Sequence, residues 1–323
     1  MQLKKFKTDS GECIALLHND RWIPLASLSG LETIGCDMLA LLKDWNLWCP
    51  RIGQALQDHA GELPAVPDDA VSMAAFIPLS LRDFMLSEKH AIDSARGFVR
   101  TFMPKLLPAV NLYEKATGKP FPALKPKPIW YRQPLYYFSN HLNMLGDGDE
   151  IAWPSYTNYL DYELELAFVI VKPLRNATQQ EALDAIGGFM VLNDVSARDV
   201  QLEEMRSGFG PQKAKHFVNA MSHTVATADS ILPRVADLRA EVRINGATVS
   251  TTSTAGMQHS IAAMLMHVSK DETLHPGEVF ATGTLPGGCA METGRWVKAG
   301  DQLELWIEQV GSLANTIAHK RNA

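Results

Sequence analysis

Cysteine is scarce in this chain and unpaired in spacing. The four present, Cys13, Cys36, Cys49 and Cys289, show none of the close pairs that hold a structural zinc or announce a disulfide framework, so reduced, incidental thiols are expected. Long apolar runs are missing too. No stretch reaches the length needed to span a bilayer, and the start Met1-Gln2-Leu3-Lys4-Lys5-Phe6 is followed by no secretory apolar core, which points to a cytoplasmic protein without membrane contact. Positive charge is the minority sign: 30 Lys and Arg stand against 36 Asp and Glu, a net charge of −6, so no nucleic-acid surface is expected. Internal repeats and low-complexity tracts are absent. What remains is a 323-residue chain able to bury a large core, enough for one big domain and a small one.

The first unit is read as residues 1–72. Its strand-like pieces, Cys13 to Leu17 and Arg21 to Leu25, flank the turn former Asn19-Asp20, and two short helical patterns follow, Asp37 to Trp45 and Arg51 to His59. A polar connection from Gly61 to Asp69 marks the boundary to the second unit, 73–323, which reads as strand-rich with few helices. Within it, Thr178-Gln179-Gln180-Glu181 is a capping-box pattern opening a helix, Asn245-Gly246 signals a hairpin, and Ser260 to His267 reads as a helix.

The most informative stretch is Leu160-Asp161-Tyr162-Glu163-Leu164-Glu165-Leu166-Ala167-Phe168-Val169-Ile170-Val171. On a strand, alternate side chains point to opposite faces, so Glu163 and Glu165 share one face and Leu164, Leu166 and Phe168 the other. If that face is sheltered, the repulsion between the two carboxylates needs an offset, and a hard divalent cation with oxygen ligands is the common one. The competing reading is a half-exposed strand with two solvated glutamates, and a third oxygen ligand decides between them. Asp194 offers it, at the end of the apolar run Gly188-Phe189-Met190-Val191-Leu192-Asn193-Asp194-Val195-Ser196-Ala197-Arg198-Asp199, although a turn closed by an Arg198 ion pair is the plainer alternative there.

Together the two segments resemble the fumarylacetoacetate hydrolase family, with its Glu-x-Glu strand joined later by Asn-Asp-x-Ser-Ala-Arg-Asp. Pro276-Gly277-Glu278 through Thr282-Gly283-Thr284-Leu285-Pro286-Gly287 and Ala299-Gly300-Asp301 through Val310-Gly311 look like two further motifs of that family, and the likeness covers roughly residues 80–318. The resemblance implies an α+β, β-dominated fold, a mixed rolled β-sheet around a central site, and a homodimer. It implies metal ligation by Glu163, Glu165, Asp194 and Asp83, the last equally readable as a helix N-cap. Mg²⁺ is the expected cofactor, with Mn²⁺ or Ca²⁺ as substitutes. His90 matches the family's histidine over the metal, and Asp93, one turn away on a helix, would orient it. Lys215 matches a charge-balancing lysine, with Lys213 its rival, and Gln201 a catalytic amide. Tyr137, Arg198 and Thr284 are the expected substrate contacts.

Charge accounting then suggests a mechanism. A 1,3-dicarbonyl or 2-oxo acid would chelate the cation, which would act as a Lewis acid on an enolate leaving group. His90 would activate a water against the neighbouring carbonyl, Gln201 would hold the oxyanion, and a carbon–carbon bond would be hydrolysed in an acylpyruvate-type substrate. The same enolate chemistry without the attacking water would serve a 2-oxo acid decarboxylase or a tautomerase.

Overall fold

The structure, a computed structural model, describes residues 1–59 and 61–320. A large sheet forms its backbone. Its main path runs in the order Arg21–Pro24, Gly11–His18, Gln2–Thr8, Thr224–Thr227, Ile186–Asn193, Glu163–Ile170, Glu278–Cys289, Ser80–Phe84, Tyr136–Ser139. A second, five-stranded sheet is ordered Ala247–Ser253, Arg239–Ile244, Gln302–Ile307, Gly311–Ile317, Glu150–Ile151. Both sheets are open and have edges. The mixed, sheet-dominated fold implied by the resemblance is the fold found.

Local chemistry accounts for the joints. Asn19 and Asp20, at φ 49° and 60°, turn Gly11–His18 into Arg21–Pro24, and Asn245 and Gly246, at 53° and 77°, close the hairpin of the second sheet. Thr178 and Glu181 form the reciprocal capping box that opens the helix Gln179–Asp184. Ser260 caps Ile261–Val268 by accepting from Ala263 N. In the first segment the helices are Met38–Lys43 and Trp45–Asp58, the second beginning ahead of the expected Arg51 and carrying Pro50 inside it. The helices Leu107–Thr117 and Pro128–Arg132 were not anticipated in a strand-rich region. Each has proline in its first turn, where the missing N–H costs nothing, so what reads as a breaker in sequence acts as a start.

Two cores hold the large sheet between them. Leu164, Leu166, Phe168 and Ile170 point into the larger core, with Val242, Leu305 and Leu265 from the second sheet and the helix Ile261–Val268. Ala167, Val169 and Val171 face the other core, built with Leu3, Leu16, Leu41 and Ile52 of the first segment. Gln2–Thr8 pairs antiparallel with Thr224–Thr227, so the sheet continues from the first segment into the rest. Among the described residues no helix is long and apolar enough to cross a membrane.

Candidate active site

Because both faces of the large sheet are covered, the acidic strand Glu163–Ile170 is buried along its whole length, and the reading of two solvated glutamates fails. Glu163 and Glu165 are 4% and 1% exposed. The neighbouring strand Glu278–Cys289 loses register here: residues 285–288 lie between the Glu165↔Thr284 and Glu163↔Cys289 pairs, opposite Leu164 alone. Such a bulge stops the ladder and re-aims side chains.

Glu165 meets two more carboxyl groups, Asp83 from Ser80–Phe84 and Asp194 from the end of Ile186–Asn193. All three are buried and bring oxygens within 4.8 Å of one another. The N-cap alternative for Asp83 is excluded, since Ser87 caps the helix Glu88–Phe102 by accepting from His90 N at 3.1 Å. The Tyr137 hydroxyl sits 2.7 Å from Asp194 Oδ2 and 3.1 Å from Asp83 Oδ2, and Thr284 Oγ1 donates to Glu165 Oε1 at 3.2 Å. Tyr137 and Thr284, expected as substrate contacts, thus hold the acids.

Glu163 stands apart from that trio. Its Oε1 accepts from Arg198 Nη2 at 2.7 Å and its Oε2 from Lys215 Nζ, which also donates to Asp194 Oδ2. Arg198, expected as a substrate contact, lines the cavity but is 1% exposed, with its donors taken by protein partners: Nε donates to Asp161 Oδ2 at 2.7 Å and Nη1 to Gln201 Oε1 at 2.9 Å. In this arrangement it anchors Asp161, Glu163 and Gln201. The rival Lys213 is exposed, its ammonium 5.3 Å from the centroid of the Tyr156 ring, and Lys215 is the lysine that reaches the acids.

Burial pushes the carboxyl groups of Asp83, Glu165 and Asp194 above the ordinary carboxylate range; the neighbouring acids add to this, and Lys215 opposes it. Glu163 goes the other way, because Arg198 and Lys215 outweigh its burial. Burial would lower Lys215, but Asp194 and Glu163 hold it above its usual value.

His90 lies on Glu88–Phe102 and lines the same cavity as the acids. Its Nδ1 is 2.6 Å from Glu292 Oε1, and Glu292 Oε2 accepts from Gly287 N at 2.9 Å. The expectation for Asp93 is therefore corrected. Asp93 is drawn to Lys89, one turn before it, and to Arg96, one turn after, and Glu292 takes its place beside His90. Cys289 also faces Glu292, but burial raises its thiol well above the ordinary range, which keeps it a donor.

Two residues of the candidate site were not singled out from the sequence. Glu292 is distant in sequence from His90, and no spacing signals the pair. Asp161 had a signal, since it stands two residues before Glu163 in the same i, i+2 alternation as Glu165. It accepts from Ala290 N at 2.8 Å and Met291 N at 3.0 Å as well as from Arg198, and so ties Ala290–Thr293, which carries Glu292, to the acidic strand.

The donor set fits a hard divalent cation. Glu165 Oε2 and Asp194 Oδ1 are buried with no hydrogen-bond partner among the described residues, and unpaired carboxylate oxygens are costly unless a cation takes them up.

The family model for the fumarylacetoacetate (FAA) hydrolase C-terminal region matches residues 114–318. The chain belongs to the fumarylacetoacetate hydrolase family. Within the family, a Xenopus laevis protein named oxaloacetate tautomerase fahd2, mitochondrial, is 28% identical over 280 residues, covering 83% of this chain and 86% of its own. A Dictyostelium discoideum fumarylacetoacetate hydrolase domain-containing protein 2 homolog is 30% identical over 294 residues, 84% of this chain and 95% of its own. Among solved structures, maleylpyruvate hydrolase from Sphingobium sp. SYK-6, in complex with manganese(II) and pyruvate, superposes with a TM-score of 0.67 at 20% identity, covering 99% of this chain and 100% of that one. The matched segment begins beyond Asp83 and His90, so the placing of those two rests on geometry.

Proposed function

We propose that this family member is a divalent-metal-dependent hydrolase that cleaves a carbon–carbon bond in an acylpyruvate-type 1,3-dicarbonyl. The observation that carries this reading is a histidine with its own carboxylate, His90 and Glu292, lining the cavity of the Asp83, Glu165 and Asp194 cluster. Those three acids would hold Mg²⁺ or Mn²⁺, with Glu163, bonded to Lys215, as a fourth carboxylate beside them. When bound, the metal supplies Lewis-acid charge at the oxygens of the 2-oxo acid. The manganese and pyruvate bound by the Sphingobium enzyme support this assignment.

The remaining steps belong to the chain's own residues. Glu292 accepts a hydrogen bond from the Nδ1–H of His90, which leaves Nε2 to take a proton from water. The water oxygen bonds to the distal acyl carbon, the carbon–carbon bond breaks, and its electron pair leaves with the pyruvate methyl carbon, which receives the proton from His90. Because Arg198 occupies Gln201 Oε1, Gln201 offers its amide N–H groups to the developing oxyanion. Lys215 balances charge beside the acids.

A second reading, tautomerisation of a 2-oxo acid, is favoured by the Xenopus relative's name and by its coverage of most of this chain. It would use His90 to move a proton between carbon and oxygen with no water consumed. Turnover of an acylpyruvate panel, with and without Mn²⁺, tests the first reading: metal-dependent release of pyruvate and a carboxylic acid supports it, whereas keto–enol exchange without cleavage supports the second.

A further inference from the structure

The cavity has a second side that the chemistry above does not use. Its volume is about 890 Å³, room for far more than a pyruvyl group. The acids come from strands of the large sheet. The helical side is apolar: Phe98 and Val99 come from Glu88–Phe102, Val110 from Leu107–Thr117, and Leu202 and Met205 from Arg198–Ser207. Phe209, just beyond that last helix, also lines the cavity with 84% of its surface exposed.

The cationic side chains among the described lining residues are engaged elsewhere. Arg198 bonds Asp161, Glu163 and Gln201; Lys215 bonds Glu163 and Asp194; His90 bonds Glu292. Arg96, on the same helix as Phe98, is held by Asp93 and Glu114. Arg206 touches Met103 from outside the lining and is paired with Glu203, so a carboxylate placed among Phe98, Val99, Val110 and Leu202 would lose its water and find no lining cation free to meet it.

We propose that the substrate carries an uncharged apolar tail, alkyl or aryl, on its acyl side, and that the site rejects a second carboxylate there. This rests on the reading that the 2-oxo acid end sits at the acid cluster. The helical wall then sets specificity by tail burial, and the exposed Phe209 ring supplies a face for that tail at the cavity's edge.

The test uses the Mn²⁺-loaded enzyme and two ligand series. In calorimetry, straight-chain 2-oxo acids of increasing length are compared with 2-oxo acids of matched length ending in a carboxylate; in turnover, the corresponding acylpyruvates are compared. Affinity and kcat/KM are expected to rise about fourfold per buried methylene, and the carboxylate-ended compounds to fall about 10- to 100-fold below their matches. Met205→Arg, at an exposed position on the wall, is expected to narrow or reverse that gap. Equal or tighter binding of the carboxylate-ended series, or affinity independent of tail length, would overturn the proposal. A clear tail preference in binding without hydrolysis would leave the proposal standing and reject the hydrolase reading; no binding by any 2-oxo acid would reject both.

Discussion

At the scale of single residues, two glutamates two positions apart do opposite work. Glu163 is clamped between Arg198 and Lys215, whereas Glu165 faces Asp83 and Asp194 with one oxygen unpaired. Removing them should therefore differ. Glu163→Ala takes a partner from two buried cations and is expected to destabilise the metal-free protein by about 3 kcal/mol, measured by urea denaturation. Glu165→Ala relieves repulsion and is expected to leave that stability unchanged or raised while abolishing Mn²⁺ binding in calorimetry. The histidine pair gives a second contrast. His90→Ala is expected to lower kcat by roughly 10²- to 10⁴-fold, and Glu292→Gln by about 10²-fold through loss of ring orientation, with KM little changed in both. Asp93→Asn, at an ion pair on the helix surface, is expected to stay near wild-type kcat.

At the scale of elements, the site depends on how closely Glu88–Phe102 packs on Ala290–Thr293. A Cβ at Gly97 would lie 2.0 Å from the Met291 carbonyl oxygen, so only glycine lets the two helices approach and bring His90 to Glu292. Gly97→Ala is expected to cost about 1–3 kcal/mol of stability and to lower kcat alongside it, read from denaturant unfolding and steady-state kinetics. The acidic strand, the Asn-Asp motif, the capping box and the Asn245-Gly246 hairpin were legible because each rests on local periodicity or turn chemistry. The His90–Glu292 pairing was not, because it is set by helix packing between segments far apart in sequence. The helices after Met103 were obscured by the prolines that start them, and the anchoring role of Arg198 by its burial, which no local pattern reveals.

At the scale of the whole molecule, two cores enclose a site where the buried carboxyl groups of Asp83, Asp161, Glu163, Glu165 and Asp194 gather around the cations Arg198 and Lys215. An acid held above its ordinary range burdens the fold only when ionised. That cost is absent below the ordinary carboxylate range and appears as pH rises through the raised values of Asp83, Glu165 and Asp194. The metal-free protein is therefore expected to lose stability with rising pH, and the increase in Tm given by Mn²⁺ to grow from pH 5 to pH 8, since protons no longer compete for the same oxygens. The most direct test of the account is hydrolysis of an acylpyruvate by the Mn²⁺-loaded enzyme in ¹⁸O-labelled water, with the products analysed by mass spectrometry. Label in the carboxylic acid released from the acyl side, suppressed in His90→Ala, is the result expected; metal-dependent turnover with no label in a new carboxylate would contradict it.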